Sequence, residues 1–160
     1  MQEEDRVVTV QFLSCGSCGH VFTATAKGKN ACPKCQAPLA AGKELVSRFS
    51  KQTVGGHVLF TLLGPMYKMQ ELEELRTQLD LAMDADAESI AFHFNGASYL
   101  DSSMLGQMVR TLKEMASRGK ATSVVTADAQ VVESLQVLDL DRILPVYPSL
   151  DAYRMAMKIQ

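Results

Sequence analysis

Along the last two thirds of the chain the spacing of apolar and polar positions changes several times, and each change predicts an element. Ser50 to Leu62 reads as two strand segments around Gly55-Gly56, the second richer in apolar residues and so the more buried. Gly64-Pro65 breaks that pattern. From Met69 the period becomes helical, with Leu72, Leu75, Leu79 and Ala82 or Met83 on one face and Glu71, Glu73, Glu74, Arg76 and Asp80 on the others. Ser89 to Asn95 alternates again, placing Ile90, Phe92 and Phe94 on one side of a strand and His93 on the opposite one. Met104, Leu105, Met108, Val109, Leu112 and Met115 trace the apolar stripe of a second helix that ends at Arg118-Gly119. A short strand over 121–127, a helix over 130–138 carrying Val131, Leu135 and Leu138, and a strand over 143–147 follow, and Pro145 makes the last strand an edge. Ser149 caps a final helix with Leu150, Tyr153 and Met157 inward. Strands alternating with helices of these lengths predict the α/β class: a mixed sheet with parallel crossovers and helices packed against it.

The first third is organised differently. Cys15-Gly16-Ser17-Cys18 and Cys32-Pro33-Lys34-Cys35 are two C-x-x-C pairs, and they contain every cysteine of the chain. Two intervening residues let both thiolates of a pair reach one ion, and Gly16, Gly19 and Pro33 suit the tight turns that aim backbone N–H groups at the sulfurs. Residues 7–12 have the composition of a lead-in strand, 20–26 that of a further strand and 27–30 that of a turn, together the hairpin of a zinc ribbon. A structural Zn2+ held by Cys15, Cys18, Cys32 and Cys35 is the favoured reading, with an iron-sulfur or iron centre and redox dithiols as alternatives. His20 reads as a strand residue, because four thiolates already complete a closed site. So short a segment cannot bury enough apolar surface to fold alone, so the metal is expected to supply most of its folding free energy.

Composition narrows the setting. The length suits a small module plus a domain of about 100 to 120 residues. Small residues with Pro38 and Gly42 mark a boundary, giving a ribbon over 1–40, a linker over 41–50 and an α/β domain over 51–160. The apolar run 58–63 falls far short of the roughly 20 residues of a membrane span, and Gln2-Glu3-Glu4-Asp5 is acidic where a secretory signal is basic, so a cytoplasmic protein without a membrane partner is expected. A formal charge of -2 argues against nucleic acid or anionic membrane as the main partner.

Candidate chemistry gathers at Tyr99 to Gly106, where an acid and two hydroxyls stand at a strand-to-helix junction. Asp101 suits an N-cap, with Ser102 and Ser103 in the first turn, close to backbone donors able to meet a charge. The residues alone leave plain capping and a regulatory hydroxyl both open. His93 reads as a satisfied histidine under a helix, and His57, after Gly55-Gly56, as part of a turn. No paired acid and base, nucleophile-base motif or phosphate loop is present, so an enzyme is not expected.

With these residues in place, the segment from Lys51 to Gln160 resembles a STAS domain (sulphate transporter and anti-sigma-factor antagonist), through its element order, Gly64-Pro65, and Asp101-Ser102-Ser103-x-Leu105-Gly106. Where that family usually has glycine, this chain has Met104. In bacterial members the hydroxyl residue after the aspartate is phosphorylated by a partner serine kinase; carried over by position, it is Ser102. The resemblance implies a non-enzymatic signalling protein that docks a protein partner, an anti-sigma factor or a serine kinase-like regulator, around Asp101, Ser102, Ser103, Met104 and Gly106. A phosphate on Ser102 would gain the helix N-terminus yet sit against Asp101, which could alter a docking surface. The alternative is a nucleic-acid-associated regulator in which the ribbon makes the contact through Lys27, Lys29 and Lys34 and the STAS-like domain regulates or oligomerises it.

Overall fold

A computed structural model describes residues 8–15, 17–23, 31–36, 45–63, 69–94 and 100–158. Its strands are β1 (Val8–Cys15), β2 (Val21–Thr23), β3 (Leu45–Val54), β4 (His57–Leu62), β5 (Ser89–Phe94), β6 (Ala121–Val125) and β7 (Val146–Tyr147). They form one seven-stranded sheet in the order β2-β1-β3-β4-β5-β6-β7. Pairing is antiparallel from β2 to β4 and parallel from β4 to β7. The helices are α1 (Met69–Asp84), α2 (Ser102–Ser117), α3 (Ala129–Val137) and α4 (Leu150–Met157).

The β3–β4 hairpin turns on Gly55 and Gly56, both at positive φ (53° and 88°), the geometry of a two-residue turn that matches strand twist. Beyond it, the strand period of two sorts side chains to two faces. Val58, Phe60 and Leu62 of β4, Ile90, Phe92 and Phe94 of β5 and Val124 of β6 enter the main core with Leu75 and Leu79 of α1, Met104, Met108 and Met115 of α2 and Val131 and Leu135 of α3. On the opposite face Leu59, Ala91 and Val125 meet Tyr153 of α4, with Leu150 and Met157 packed alongside. A row of rings crosses the main core: Phe12 stacks on Phe49 at 4.6 Å, Phe49 lies 6.4 Å from Phe60, and Phe60 lies 6.4 Å from Phe92. These rings tie β1 to the strands of the hairpin.

Several expectations need correction. Leu45 to Ser50, placed in a linker by composition, begin β3 and pair with β1; Phe49 and Ser50 also pair with β4. Backbone pairing with its neighbours makes a strand of this stretch despite its polar residues. Residues 41–44 and Gly64-Pro65 lie outside the described residues. Glu71, assigned to a polar face of α1, is 1 % exposed; it stands one helical turn from Leu75 and so shares its side. Leu138, placed on the inner stripe of α3, is the C-cap residue and half exposed. The strand over 143–147 shrinks to Val146–Tyr147 behind a 3-10 turn at Leu140–Arg142, and it does lie at the sheet edge.

Candidate functional site

Asp101 is extended (φ -103°, ψ 176°), and its Oδ1 accepts the N–H of Met104 at 2.8 Å, while its carbonyl accepts the N–H of Leu105 at 2.9 Å. The aspartate is therefore an N-cap, fixing where α2 begins. Ser102 and Ser103 occupy the first two helical positions and are exposed. Met104 is 5 % exposed and belongs to the core, so the bulk at this position points inward and adds nothing to an outer contact surface. Gly106 is exposed on the helix, and a Cβ built there would have nothing within 4 Å.

Between the start of α2 and α3 runs a groove of about 650 Å³. Leu100, Asp101, Ser102 and Leu105 form one wall, and Gln130, Glu133, Ser134, Val137 and Leu138 the other. Ser103 is not part of the lining, which separates the two serines. Val137 (76 %) and Leu138 (49 %) leave apolar surface open at the rim, and Ile143 nearby in sequence is 62 % exposed. The two ionisable groups of the lining, Asp101 and Glu133, are both acidic. Such a surface can bury apolar side chains and meet cations.

The four cysteines form the second cluster. Their sulfurs all lie within 4.8 Å of one another, with Cys15 to Cys35 at 3.7 Å and Cys18 to Cys32 at 3.5 Å, so they could hold a metal ion. The two knuckles are built alike. Gly19 N–H donates to the Cys15 carbonyl (2.8 Å), and Gln36 N–H to the Cys32 carbonyl (2.7 Å); Gly19 and Gln36 both have positive φ, 80° and 62°. Gln36 thus does in the second knuckle what Gly19 does in the first, a role that its residue type did not announce. Backbone N–H groups of Cys18 and Ser17 outweigh burial and pull the Cys15 thiol down to about 6. At Cys18 the backbone N–H of His20 lowers the thiol, but burial and the neighbouring sulfurs prevail and push it up to about 11. At Cys32 burial raises the thiol, but the backbone N–H groups of Cys35 and Lys34 prevail and hold it below its ordinary value, so Cys15 and Cys32 favour the thiolate while Cys18 resists it, and a cation among the sulfurs would favour the thiolate form. His20 is outside the cluster, 6.2 Å from the Phe22 ring. Lys34 is exposed, while Lys27 and Lys29 lie outside the described residues.

The two other histidines sit on the α4 side of the sheet. His57 opens β4 and its Nδ1 is 2.6 Å from Ser89 Oγ, which is 3.5 Å from the Tyr153 hydroxyl. His93 Nδ1 is 3.2 Å from Thr61 Oγ1.

Comparison with known proteins bears on the groove. The STAS domain family model matches residues 48–153. The chain belongs to the STAS domain family. Among solved structures, a Thermotoga maritima protein described as an anti-sigma factor antagonist is 19 % identical, with 69 % of this chain and 93 % of that chain covered at a TM-score of 0.60. An anti-sigma factor antagonist from Mycobacterium paratuberculosis is 15 % identical, covering 69 % and 92 %, at 0.59. The anti-sigma factor antagonist SpoIIAA in its unphosphorylated form is 18 % identical, covering 70 % and 98 %, at 0.58. At these identities the likeness is one of fold. No curated protein sequence matches at a significant level. The STAS match begins inside β3, so β1, β2 and the cysteine cluster precede it.

Proposed function

We propose that this STAS protein is a non-enzymatic cytoplasmic regulator that docks a protein partner, an anti-sigma factor or a serine kinase-like regulator, in the groove between α2 and α3, with phosphorylation of Ser102 as the switch. The observation that carries this reading is the placement of Ser102: exposed, next to the capping Asp101, and part of the groove wall, whereas Ser103 is not. A phosphate there adds about -1.5 to -2 charges beside Asp101 and across from Glu133. The acidic groove becomes more acidic at the point where a partner must close over it, and the helix N-terminus compensates only in part.

Incubation with ATP and the cognate serine kinase is expected to phosphorylate the wild-type protein and leave Ser102→Ala unmodified. Equal modification of both proteins would sink the assignment. Ser102→Asp is expected to recover less partner than wild type from native cell lysate, and equal recovery would remove the charge switch.

Alongside, we read the cysteine cluster as a structural zinc site. Tetrahedral zinc with thiolate bonds of about 2.3 Å sets sulfur–sulfur edges of about 3.8 Å, and the Cys18–Cys32 and Cys15–Cys35 separations, 3.5 and 3.7 Å, suit that geometry. Elemental analysis of the purified chain should find close to one zinc per molecule.

A further inference from the structure

Cys15 belongs to two structures at once. It is the last residue of β1, paired with Leu45 of β3, and it contributes one sulfur to the four-cysteine cluster. β1 runs antiparallel to β3 over its whole length, from Val8↔Thr53 to Cys15↔Leu45, with a bulge after Phe12. It therefore occupies what would otherwise be the open edge of β3, the strand in which the STAS match begins. An open edge presents a row of unpaired N–H and C=O groups.

Of the β1 side chains, those of Phe12 to Cys15 are described, and Phe12, Ser14 and Cys15 are buried. Among the described side chains, Phe12 is the β1 residue that joins the main core, through its stack on Phe49. Ser14 is buried, but its hydroxyl has no hydrogen-bond partner among the described residues, which costs stability. β2 pairs with β1 over only three residues, Phe12 to Ser14. Elements at the periphery of a sheet can open locally at a fraction of the global free energy. The strand end that carries Cys15 is the point at which a covalent-strength constraint would count most.

We infer that a metal ion in the cysteine cluster clamps β1 along β3, so that metal occupancy decides whether β3 is an interior strand or an edge strand of the STAS sheet. The inference rests on the reading of the cluster as a metal site. The ion joins Cys15 to the second knuckle at Cys32 and Cys35, making the end of β1 part of a cross-linked unit. Without the ion, the end of the strand loses its link to the second knuckle and keeps its ladder bonds and the Phe12–Phe49 stack.

The test is native-state hydrogen exchange on the full chain, after metal content has been measured, with and without chelator, and on Cys35→Ser, whose side chain is exposed and carries little packing. Metal removal by either route is expected to speed exchange of the amides of β1 and of their β3 partners between Phe49 and Thr53 at least tenfold. Amides of Phe92 in β5 and Val124 in β6 should change less than threefold. Metal-bound protein whose β1 exchange is insensitive to chelator would overturn the clamp and leave the metal site standing. A uniform acceleration that includes β5 and β6 would also overturn it, the metal then supporting the whole domain. A chain that binds no zinc under any of these conditions would overturn the metal reading beneath it.

Discussion

Gly106 is exposed on α2 and does not line the groove, and its helix would gain from a larger residue there. Glycine within a helix is about 1 kcal/mol less favourable than alanine, and here a methyl group would meet nothing within 4 Å. Gly106→Ala is therefore expected to raise the unfolding free energy by about 0.5 to 1 kcal/mol. If the helix start is a docking surface, the same substitution weakens partner recovery; a stabilised Gly106→Ala protein that binds fully would take Gly106 out of the contact. His93 carries a different prediction. Burial holds its imidazole below the ordinary value of 6.5, so the unfolded chain binds the proton more tightly than the folded one. The stability involved is complete above about pH 6.5 and is lost as pH falls through the folded value. His93→Gln, which can still reach Thr61, should show a shallower fall of Tm than wild type between pH 7.5 and 5.5, and equal slopes would rule out this contribution. At this scale, what depends on nearest neighbours could be read without a structure: Asp101 as a cap, Gly119 as a helix stop, and the convergence of the four cysteines from their spacing. Met104 belongs here too: the helical period sets it on the apolar stripe with Met108, and it is buried there, although the resemblance counts it toward the docking surface.

Among the elements, α3 bears most directly on the groove. Val137 is 76 % exposed on its last turn and lines the groove, so Val137→Ser should change stability by less than about 0.5 kcal/mol while reducing partner binding severalfold; unchanged affinity would move the docking surface away from α3. The strands and helices from Ser50 onward follow their hydrophobic periods, because each period reports one buried face. Deviations occur where that face is interrupted. The inner stripe of α3 stops at Leu135, as the helix ends before Leu138 can turn inward. Pro145 and the 3-10 turn before it leave β7 only two residues. Glu71 and Thr111 are buried polar residues on apolar helix faces. Thr111 satisfies its hydroxyl on the Gln107 carbonyl at 2.8 Å, a bond internal to the helix that no hydrophobic pattern announces.

Across the whole molecule the parallel half of the sheet was legible and the antiparallel extension was not. Alternation of strand and helix implies crossovers, but nothing local in Val8 to Cys15 states that this segment pairs with Leu45 to Thr53. Register between strands so far apart in sequence is fixed by the finished fold, with Phe12 opposite Phe49 as its anchor. The same pairing takes residues 45–50 of the linker that composition suggested into β3, and it joins the cysteine cluster to the STAS sheet through a shared strand. One consequence concerns assembly. Pairing Cys15 with Leu45 requires the chain to close a loop of about thirty residues, whereas an ion that has already joined Cys15 to Cys35 leaves only about ten to close. By the logarithmic dependence of closure entropy on length, that shortcut is worth about 1 kcal/mol. Metal bound early would thus act as a splint, bringing β1 within reach of β3 before the sheet exists to receive it.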